Sequence, residues 1–130
     1  MVFTVKSPIP GFPHIGTMEL IKIDDFFMRL QSTDDSTSFT LLNPYMLREY
    51  VFEIPSYYKT LLEIDEKTNV MVFNIMIIAS PIENSSVNFI APLIFNADTM
   101  TMAQVLLDSD RHPEYGISQS IGSFLQEEGV

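Results

Sequence analysis

Few residues in this chain have the types and spacing that catalytic or metal chemistry requires. The two histidines, His14 and His112, stand beside prolines, and neither belongs to an HExxH or comparable metal-ligand spacing. Two pairs of adjacent acids, Asp24-Asp25 and Asp34-Asp35, could bind a cation or serve as general acid and base. Adjacent acids are also common in turns, and the D-x-D-x-D-G calcium loop is missing. The sequence therefore predicts no catalytic residue, no metal site and no cofactor.

Motifs for nucleophilic catalysis and nucleotide binding are missing as well. The chain has no GxSxG elbow and neither a GxGxxG nor a GxxxxGK[ST] loop. It has no cysteine, which removes disulfide scaffolds, thiolate zinc sites and cysteine nucleophiles and fits a reducing cytoplasm. No motif in the sequence indicates an enzyme.

The charge balance favours a basic protein or a cation as partner over a nucleic acid. Seven Lys and Arg residues stand against 17 Asp and Glu residues, which gives a formal net charge of -10. Nucleic-acid binding needs basic side chains on the phosphates, so this surface would repel DNA or RNA and attract basic proteins. The alternative is that acidity only keeps the protein soluble, and composition leaves both interpretations open.

The two longest apolar runs are too short to cross a membrane as helices. Val70–Ala79 and Val87–Asn96 have ten residues each, whereas a spanning helix needs about 20. Residues 1–16 lack the basic cluster and apolar core of a secretory signal. With 130 residues, of which 46% are hydrophobic, the chain can form one domain with its own core.

Apolar residues alternate with a period of two, which is the repeat of a β-strand. The odd positions of Val70–Ala79 and one parity of Val87–Asn96 are wholly apolar. Because Pro92 cannot donate to a strand ladder, we predict that the second run is interrupted near Ala91-Pro92. The other predicted strands are short and divided by turn residues: Val2–Val5, Met18–Ile23, Phe26–Ser32, Ser38–Leu42, Tyr50–Ile54 and Thr101–Leu107.

Many short strands at close spacing predict an antiparallel barrel or sandwich. One short helix is predicted after Pro55, with Ser56 as its N-cap and with Tyr58, Leu61 and Leu62 on one side. The expected fold is thus mainly β, a small antiparallel β-barrel-like domain with one or two short helices.

The segment after Leu107 differs in composition from the rest. We divide the chain into a β-barrel-like domain, residues 1–107, and an acidic C-terminal tail, residues 108–130. An apolar stripe at helical spacing runs through the tail, but the Ser and Gly residues within it make a helix marginal. We expect a loosely docked tail whose deletion leaves the barrel folded. The stripe consists of Ile117, Ile121, Phe124 and Leu125.

Five stretches of the chain form an ordered set of landmarks. They are PGFP at Pro10–Pro13, FFMRLQSTDD at Phe26–Asp35, FTLLNPY at Phe39–Tyr45, VNFIAPLIFN at Val87–Asn96 and AQVLL at Ala103–Leu107. In this order and spacing, over residues 8–107, they resemble the FliW family of flagellar assembly factors. The pattern is most similar to members from the campylobacter and helicobacter group, some of which carry two paralogues.

This resemblance implies a cytoplasmic protein without enzymatic activity. Members of the family bind flagellin and also the basic translational regulator CsrA, whose repression of flagellin translation they relieve. The resemblance implies no direct contact with nucleic acid or membrane. The alternative hypothesis is a small β-barrel that binds a ligand or acts as an enzyme on an unknown substrate. The apolar strand faces, which lack converging titratable groups, favour the protein-binding factor.

Candidate partner-binding residues lie in these landmarks or flank the apolar runs. Such polar side chains also commonly satisfy backbone groups in turns, and the sequence leaves both roles open. The candidates are Asp34, Asp35, Asn43, Pro44, Tyr45, Asn88 and Asn96. The residues predicted to have structural roles in the landmarks are Pro10, Gly11, Phe12, Phe89 and Pro92, and Phe73 and Ile75 are predicted to join Phe89 in the core.

Overall fold

The computed structural model describes residues 1–125, which form one continuous sheet with short helices in its connections. The strands are β1 (Val2–Ser7), β2 (Thr17–Lys22), β3 (Phe27–Ser32), β4 (Ser38–Leu42), β5 (Val70–Ile77), β6 (Ser86–Val87), β7 (Leu93–Asn96), β8 (Thr101–Gln104) and β9 (Gln119–Ser120). The helices are α1 (Ser56–Leu61) and α2 (Gly122–Leu125), with 3₁₀ turns at Pro44–Met46 and Ile82–Asn84.

Seven of these strands close into a barrel. Their order is β4-β3-β2-β1-β8-β7-β5, and β5 returns to pair with β4, with Ile75 opposite Leu41. Strands β6 and β9 extend the sheet beyond β5. Closure gives every barrel strand a partner on each side, which removes exposed edges. The predicted mainly β, barrel-like fold with short helices is confirmed.

One pairing in the barrel is parallel. Strands β1 and β8 run in the same direction, with Thr4 opposite Thr101 and Val5 opposite Met102, and the register shifts between Val5 and Ser7. All other strand pairs are antiparallel. Parallel and antiparallel strands share the period of two, so the alternation of apolar residues could not reveal that this pair is parallel.

Alternate side chains of the barrel strands fill the interior. The ring of Phe95 meets those of Phe3 and Phe73 edge-on, with centroids 5.0 and 5.8 Å apart. Phe73 and Ile75, which were predicted to join Phe89 in the core, are only partly buried and pack against this cluster, whereas Phe89 belongs to a different one. Side chains without solvent exposure complete the interior: Phe3, Met18, Leu30, Leu41, Leu93, Phe95 and Met102.

A second apolar cluster covers the outer face of β5, β7 and β8. The chain between β4 and β5 supplies Tyr50 and Leu62, and the tail supplies Tyr115 and Ile121. The Tyr50 ring centroid lies 4.7 Å from that of Tyr115 and 5.6 Å from that of Phe89, which is fully buried. This outer cluster explains why the second face of β5 is also mostly apolar, with the buried Asn74 as its polar residue.

The predicted strand Tyr50–Ile54 is wrong, because tertiary hydrogen bonds replace a ladder there. The Tyr50 hydroxyl donates to the carbonyl of Phe89. The Tyr115 hydroxyl accepts from the backbone N–H of Val51 at 2.8 Å and donates to the Val51 carbonyl at 2.9 Å. The aromatic and β-branched residues of this segment therefore serve the outer cluster.

The interruption predicted in Val87–Asn96 is confirmed, since β6 ends at Val87 and β7 begins at Leu93. The helix predicted after Pro55 is present as α1, but Ser56 is not its N-cap. Pro55 holds that position, and no side chain caps the helix. Over residues 1–125, no helix is both long enough and apolar enough to cross a bilayer.

The first part of the tail packs on the barrel. Strand β9 pairs with β6, and the Ile121 N–H donates to the Ser85 carbonyl at 2.8 Å. Ile121 is only 6% exposed, whereas Ile117 is 74% exposed. The stripe predicted as one helix is therefore divided: Ile117 precedes β9, Ile121 lies between β9 and α2, and Phe124 and Leu125 lie in α2. Residues 126–130, the end of the predicted tail, lie outside the described residues.

Candidate functional site

Strand directions place the sequence-predicted site residues at two opposite ends of the barrel. One end, which we call the mouth, carries the segments 8–16, 33–37 and 78–92 and the residues that follow β8. Asp34, Asp35 and Asn88 lie there, together with the PGFP landmark and Phe89 and Pro92. The opposite end, the base, carries Asn43, Pro44, Tyr45 and Asn96. The seven candidates therefore do not form one surface.

Asp34 and Asp35 form the turn between β3 and β4 at the mouth. The Thr37 N–H donates to Asp35 Oδ1 at 2.9 Å, and Asp35 Oδ2 lies 2.9 Å from His14 Nε2. The hydrogen bonds from Thr37, with smaller contributions from His14 and Ser32, lower the pKa of Asp35 to about 2. Asp35 is thus negatively charged at neutral pH, beside an exposed Asp34.

At the base, Asn43 and Pro44 build a turn that presents Tyr45. The Asn43 side chain caps the 3₁₀ turn by accepting from the Tyr45 N–H at 3.1 Å. Pro44 is buried, while Tyr45 is 54% exposed. Of these three residues, Tyr45 therefore offers most of the contact surface.

Asn96 ties parts of the base together from a fully buried position. Its Nδ2 donates to the Leu62 carbonyl at 2.7 Å, and its Oδ1 accepts from the N–H groups of Asp98 and Thr99 at 2.9 and 3.1 Å. These bonds join the end of α1 to the turn between β7 and β8. Both ends of the Asn96 amide are thus occupied by the chain's own backbone.

An apolar groove of about 430 Å³ opens at the mouth. The rings of Phe12 and Phe39 meet edge-on inside it, with centroids 5.0 Å apart. Leu106 and Ile117 also line it, although they are 68% and 74% exposed. We call this feature the mouth groove. Its lining also includes Ile9, Ile75 and Tyr58 of α1.

The PGFP landmark shapes one wall of the mouth groove. Gly11 has a φ of +87°, a left-handed conformation that glycine adopts without steric cost. The Phe12 N–H donates to the Ile9 carbonyl at 2.8 Å, which closes the turn. The turn directs the Phe12 ring against Phe39, and the landmark therefore has a positional role in the groove.

Two side-chain amides in the mouth groove each use only one of their two polar atoms in a hydrogen bond. Asn88 Oδ1 accepts from the Ala91 N–H, and Gln104 Nε2 donates to the Ala91 carbonyl, both at 3.1 Å. Asn88 Nδ2 and Gln104 Oε1 form no hydrogen bond with any residue among 1–125. The groove thus keeps one donor and one acceptor for a bound group.

The loops at the mouth of the barrel carry a negative formal charge. Segments 8–16, 33–37 and 78–92 contain no Lys or Arg but carry Asp34, Asp35 and Glu83. Another depression, of about 490 Å³ beside α1, is lined mainly by charged residues between Lys59 and Lys67. Among residues 1–125, no three His, Asp or Glu side chains are grouped so that they could hold a metal ion. The geometry of the mouth suits an apolar ligand with positive charge.

Comparisons with known proteins agree with this fold along nearly the whole chain. Residues 1–121 match the family model described as FliW protein, so the match extends beyond the landmarks into the tail. "Flagellar assembly factor FliW 2" of Wolinella succinogenes is 54% identical over 131 residues, covering 100% of this chain and 96% of that protein. "Flagellar assembly factor FliW" of Sulfurimonas denitrificans is 48% identical, covering 98% of this chain and all of that protein.

A second Wolinella succinogenes protein, "Flagellar assembly factor FliW 1", is 41% identical, covering 98% of this chain and all of that protein. A solved structure, "Crystal structure of the flagellar assembly factor FliW", superposes with a TM-score of 0.84 at 22% identity. The superposition covers 92% of this chain and 84% of the other, and it supports the fold alone. By the family model and these relatives, the chain belongs to the FliW family of flagellar assembly factors.

Proposed function

We propose that this protein is a non-catalytic flagellar assembly factor that binds flagellin in the cytoplasm and antagonises the translational regulator CsrA. Free flagellin competes for the protein in this scheme. When flagellin is abundant, less of the protein is available to CsrA, and flagellin translation falls. The protein thereby couples the level of flagellin to its synthesis.

The observation that carries this proposal is the family match over residues 1–121, together with full-length relatives at 41–54% identity that are named flagellar assembly factors. The geometry is in keeping with a protein-binding role. The mouth groove offers exposed apolar side chains and unpaired amide groups, which are the contacts a polypeptide needs.

The charge of the chain supports CsrA as the second partner. A protein with a formal net charge of -10 attracts a basic protein at long range, and complementary charge mainly raises the association rate. CsrA, as the family resemblance describes it, is such a basic protein. The charge therefore favours a partner of that kind.

The packing of the barrel argues against the alternative of a ligand held inside it. Phe3, Met18 and Phe95 have no exposed surface, and they fill the space between the strands. A barrel that binds a ligand internally needs a cavity among these side chains. The candidate sites among residues 1–125 lie on the surface instead.

The direct test is titration of the purified protein with flagellin and with CsrA from the same organism, first separately and then together. We expect each to bind, and we expect flagellin to displace CsrA. If the protein binds flagellin but not CsrA, the proposed role in translational control is rejected, and the proposed role in flagellar assembly stands. Failure to bind either protein would overturn the whole proposal.

A further inference from the structure

We propose that the mouth groove is the flagellin site, and that it takes an apolar segment of flagellin flanked by Lys or Arg. This inference rests on the proposed function, to which it adds a surface and the chemistry of the segment that binds there. Three properties carry it: the exposed apolar side chains of the groove, its unpaired amide atoms and the negative charge of the loops at the mouth.

The exposed apolar side chains supply the driving force. Leu106 and Ile117 stand more than two-thirds exposed beside the Phe12–Phe39 pair. Apolar residues that are exposed singly are ordinary on protein surfaces, but a contiguous group rimmed by polar residues marks an interaction site. A partner that places apolar side chains between Leu106 and Ile117 removes both from water.

The unpaired amide atoms favour a polypeptide over a purely hydrocarbon ligand. Asn88 and Gln104 are partly buried residues, and a ligand that covered Asn88 Nδ2 and Gln104 Oε1 without hydrogen bonds would leave these atoms unsatisfied. A peptide backbone supplies a carbonyl for the first and an N–H for the second. The two atoms can therefore orient a bound chain.

The charge of the loops at the mouth favours some occupants of the groove over others. Asp34, Asp35 and Glu83 lie in the loops at this end of the barrel, and segments 8–16, 33–37 and 78–92 hold no Lys or Arg. A second copy of the chain carries the same net charge of -10 and is repelled. Lys or Arg beside the apolar anchors of a partner is attracted.

The first experiment introduces a carboxylate into the groove at positions where the fold does not depend on the side chain. Leu106→Glu and Ile117→Glu change exposed residues, and Ile23→Glu is the matched control, since Ile23 is 52% exposed between β2 and β3 at the base. The probe is purified monomeric flagellin, and the melting temperature of each variant verifies folding. We expect the groove variants to raise the Kd about tenfold or more and the control to leave it unchanged.

A second set of variants tests the charge. Asp34→Lys and Glu83→Lys should weaken flagellin binding and reduce its dependence on ionic strength, while Glu66→Lys, on the loop before β5, should do neither. Tiled flagellin peptides then identify the bound segment. We expect the binding peptides to carry Lys or Arg beside apolar residues.

The outcomes separate this inference from the proposed function. If the unmodified protein binds flagellin and the groove variants bind equally well, the groove is not the site, and the proposed function stands. If binding peptides are acidic or uncharged, the charge argument is overturned. If the unmodified protein does not bind flagellin at all, the flagellin half of the proposed function fails, and this inference fails with it.

Discussion

The guanidinium carbon of Arg48 lies 4.8 Å from the centroid of the Phe89 ring. It lies equally close to the rings of Tyr115 and Phe124, at 4.9 and 4.8 Å, and Arg48 Nη1 donates to Gln119 Oε1 at 3.2 Å. Phe89 belongs to the stretch between β6 and β7, and the other three partners belong to the tail. One cation from the chain between β4 and β5 therefore joins three segments of the protein.

We predict that Arg48→Met destabilises the protein by about 1–2 kcal/mol, because the cation–π contacts of a shielded guanidinium are worth about that much. Methionine keeps most of the apolar volume of the arginine side chain. The loss of stability therefore measures the contributions of the positive charge and of the hydrogen bond to Gln119. The measurement is urea unfolding, with hydrogen exchange of residues 115–124 as a local readout. Unchanged stability and exchange would show that the arginine does not hold the tail.

Phe89→Ala should cost about 3–5 kcal/mol, which is typical for removing a buried phenylalanine. Phe89 is fully buried against Tyr50 and Phe124, and domains have only roughly 5–15 kcal/mol of stability in total. Phe26→Ala is the matched control, since Phe26 is 41% exposed in the turn before β3. A large fall in melting temperature is expected for the first variant only; equal effects would contradict the assignment of Phe89 to the core.

The docking of the tail can be tested with two isoleucines that lie four residues apart. Ile121→Ala should cost about 2–4 kcal/mol, because Ile121 is buried in the outer cluster, while Ile117→Ala should change stability little. Deletion of residues 108–130 should then expose Tyr50 and Phe89 and destabilise the barrel. An unchanged melting temperature of the truncated protein would contradict this expectation. It would support the loosely docked tail that the composition predicts.

Tyr50 should make stability depend on pH in the alkaline range. Burial raises the pKa of Tyr50 well above its ordinary value, although its hydrogen bond with Asn74 acts in the opposite direction. Because the folded state favours the neutral phenol, this contribution is fully present below the unfolded pKa of about 10 and is lost as the pH rises above it. Tyr50→Phe should remove that loss. The free energy of unfolding, measured in urea between about pH 8 and 11, should fall more steeply for the unmodified protein.

If negative charge steers CsrA to this protein, the association rate should fall as salt rises. The Debye length shortens from about 10 Å at 0.1 M to about 3 Å at 1 M ionic strength. Flagellin binding, which we assign mainly to apolar contacts, should be less sensitive. Stopped-flow association at several salt concentrations provides the comparison, and equal slopes for the two partners would remove the electrostatic argument.

Most of the barrel was predictable because its strands alternate apolar and other residues. The alternation in Val70–Ala79 and the proline break in Val87–Asn96 correspond to observed elements. The segment Tyr50–Ile54 misled the prediction, since aromatic and β-branched residues suit an outer cluster as well as a ladder. Burial of Ile121 was not predictable from its neighbours, because it depends on a backbone carbonyl of Ser85, far away in the chain.

The mouth groove was only partly visible in the sequence. Its landmark PGFP and the candidate Asn88 were identified from the sequence, but Leu106 was treated as part of a strand. The structure ends β8 at Gln104, so Leu106 continues the alternation past the barrel and reaches solvent. An apolar residue at the end of an alternating run indicates an exposed contact residue only when the end of the strand is known.

The parallel pairing of β1 with β8 has a consequence for how the protein is made. Thr4 must find Thr101, so the ring of strands cannot close until almost all of the barrel sequence has left the ribosome. Contacts between residues so distant in sequence form late and slow the folding of small domains. Strands β1 to β4 can pair as hairpins earlier, but the nascent chain has no mouth groove until β8 has been synthesised. A partially synthesised chain should accordingly be unable to capture a partner through that groove.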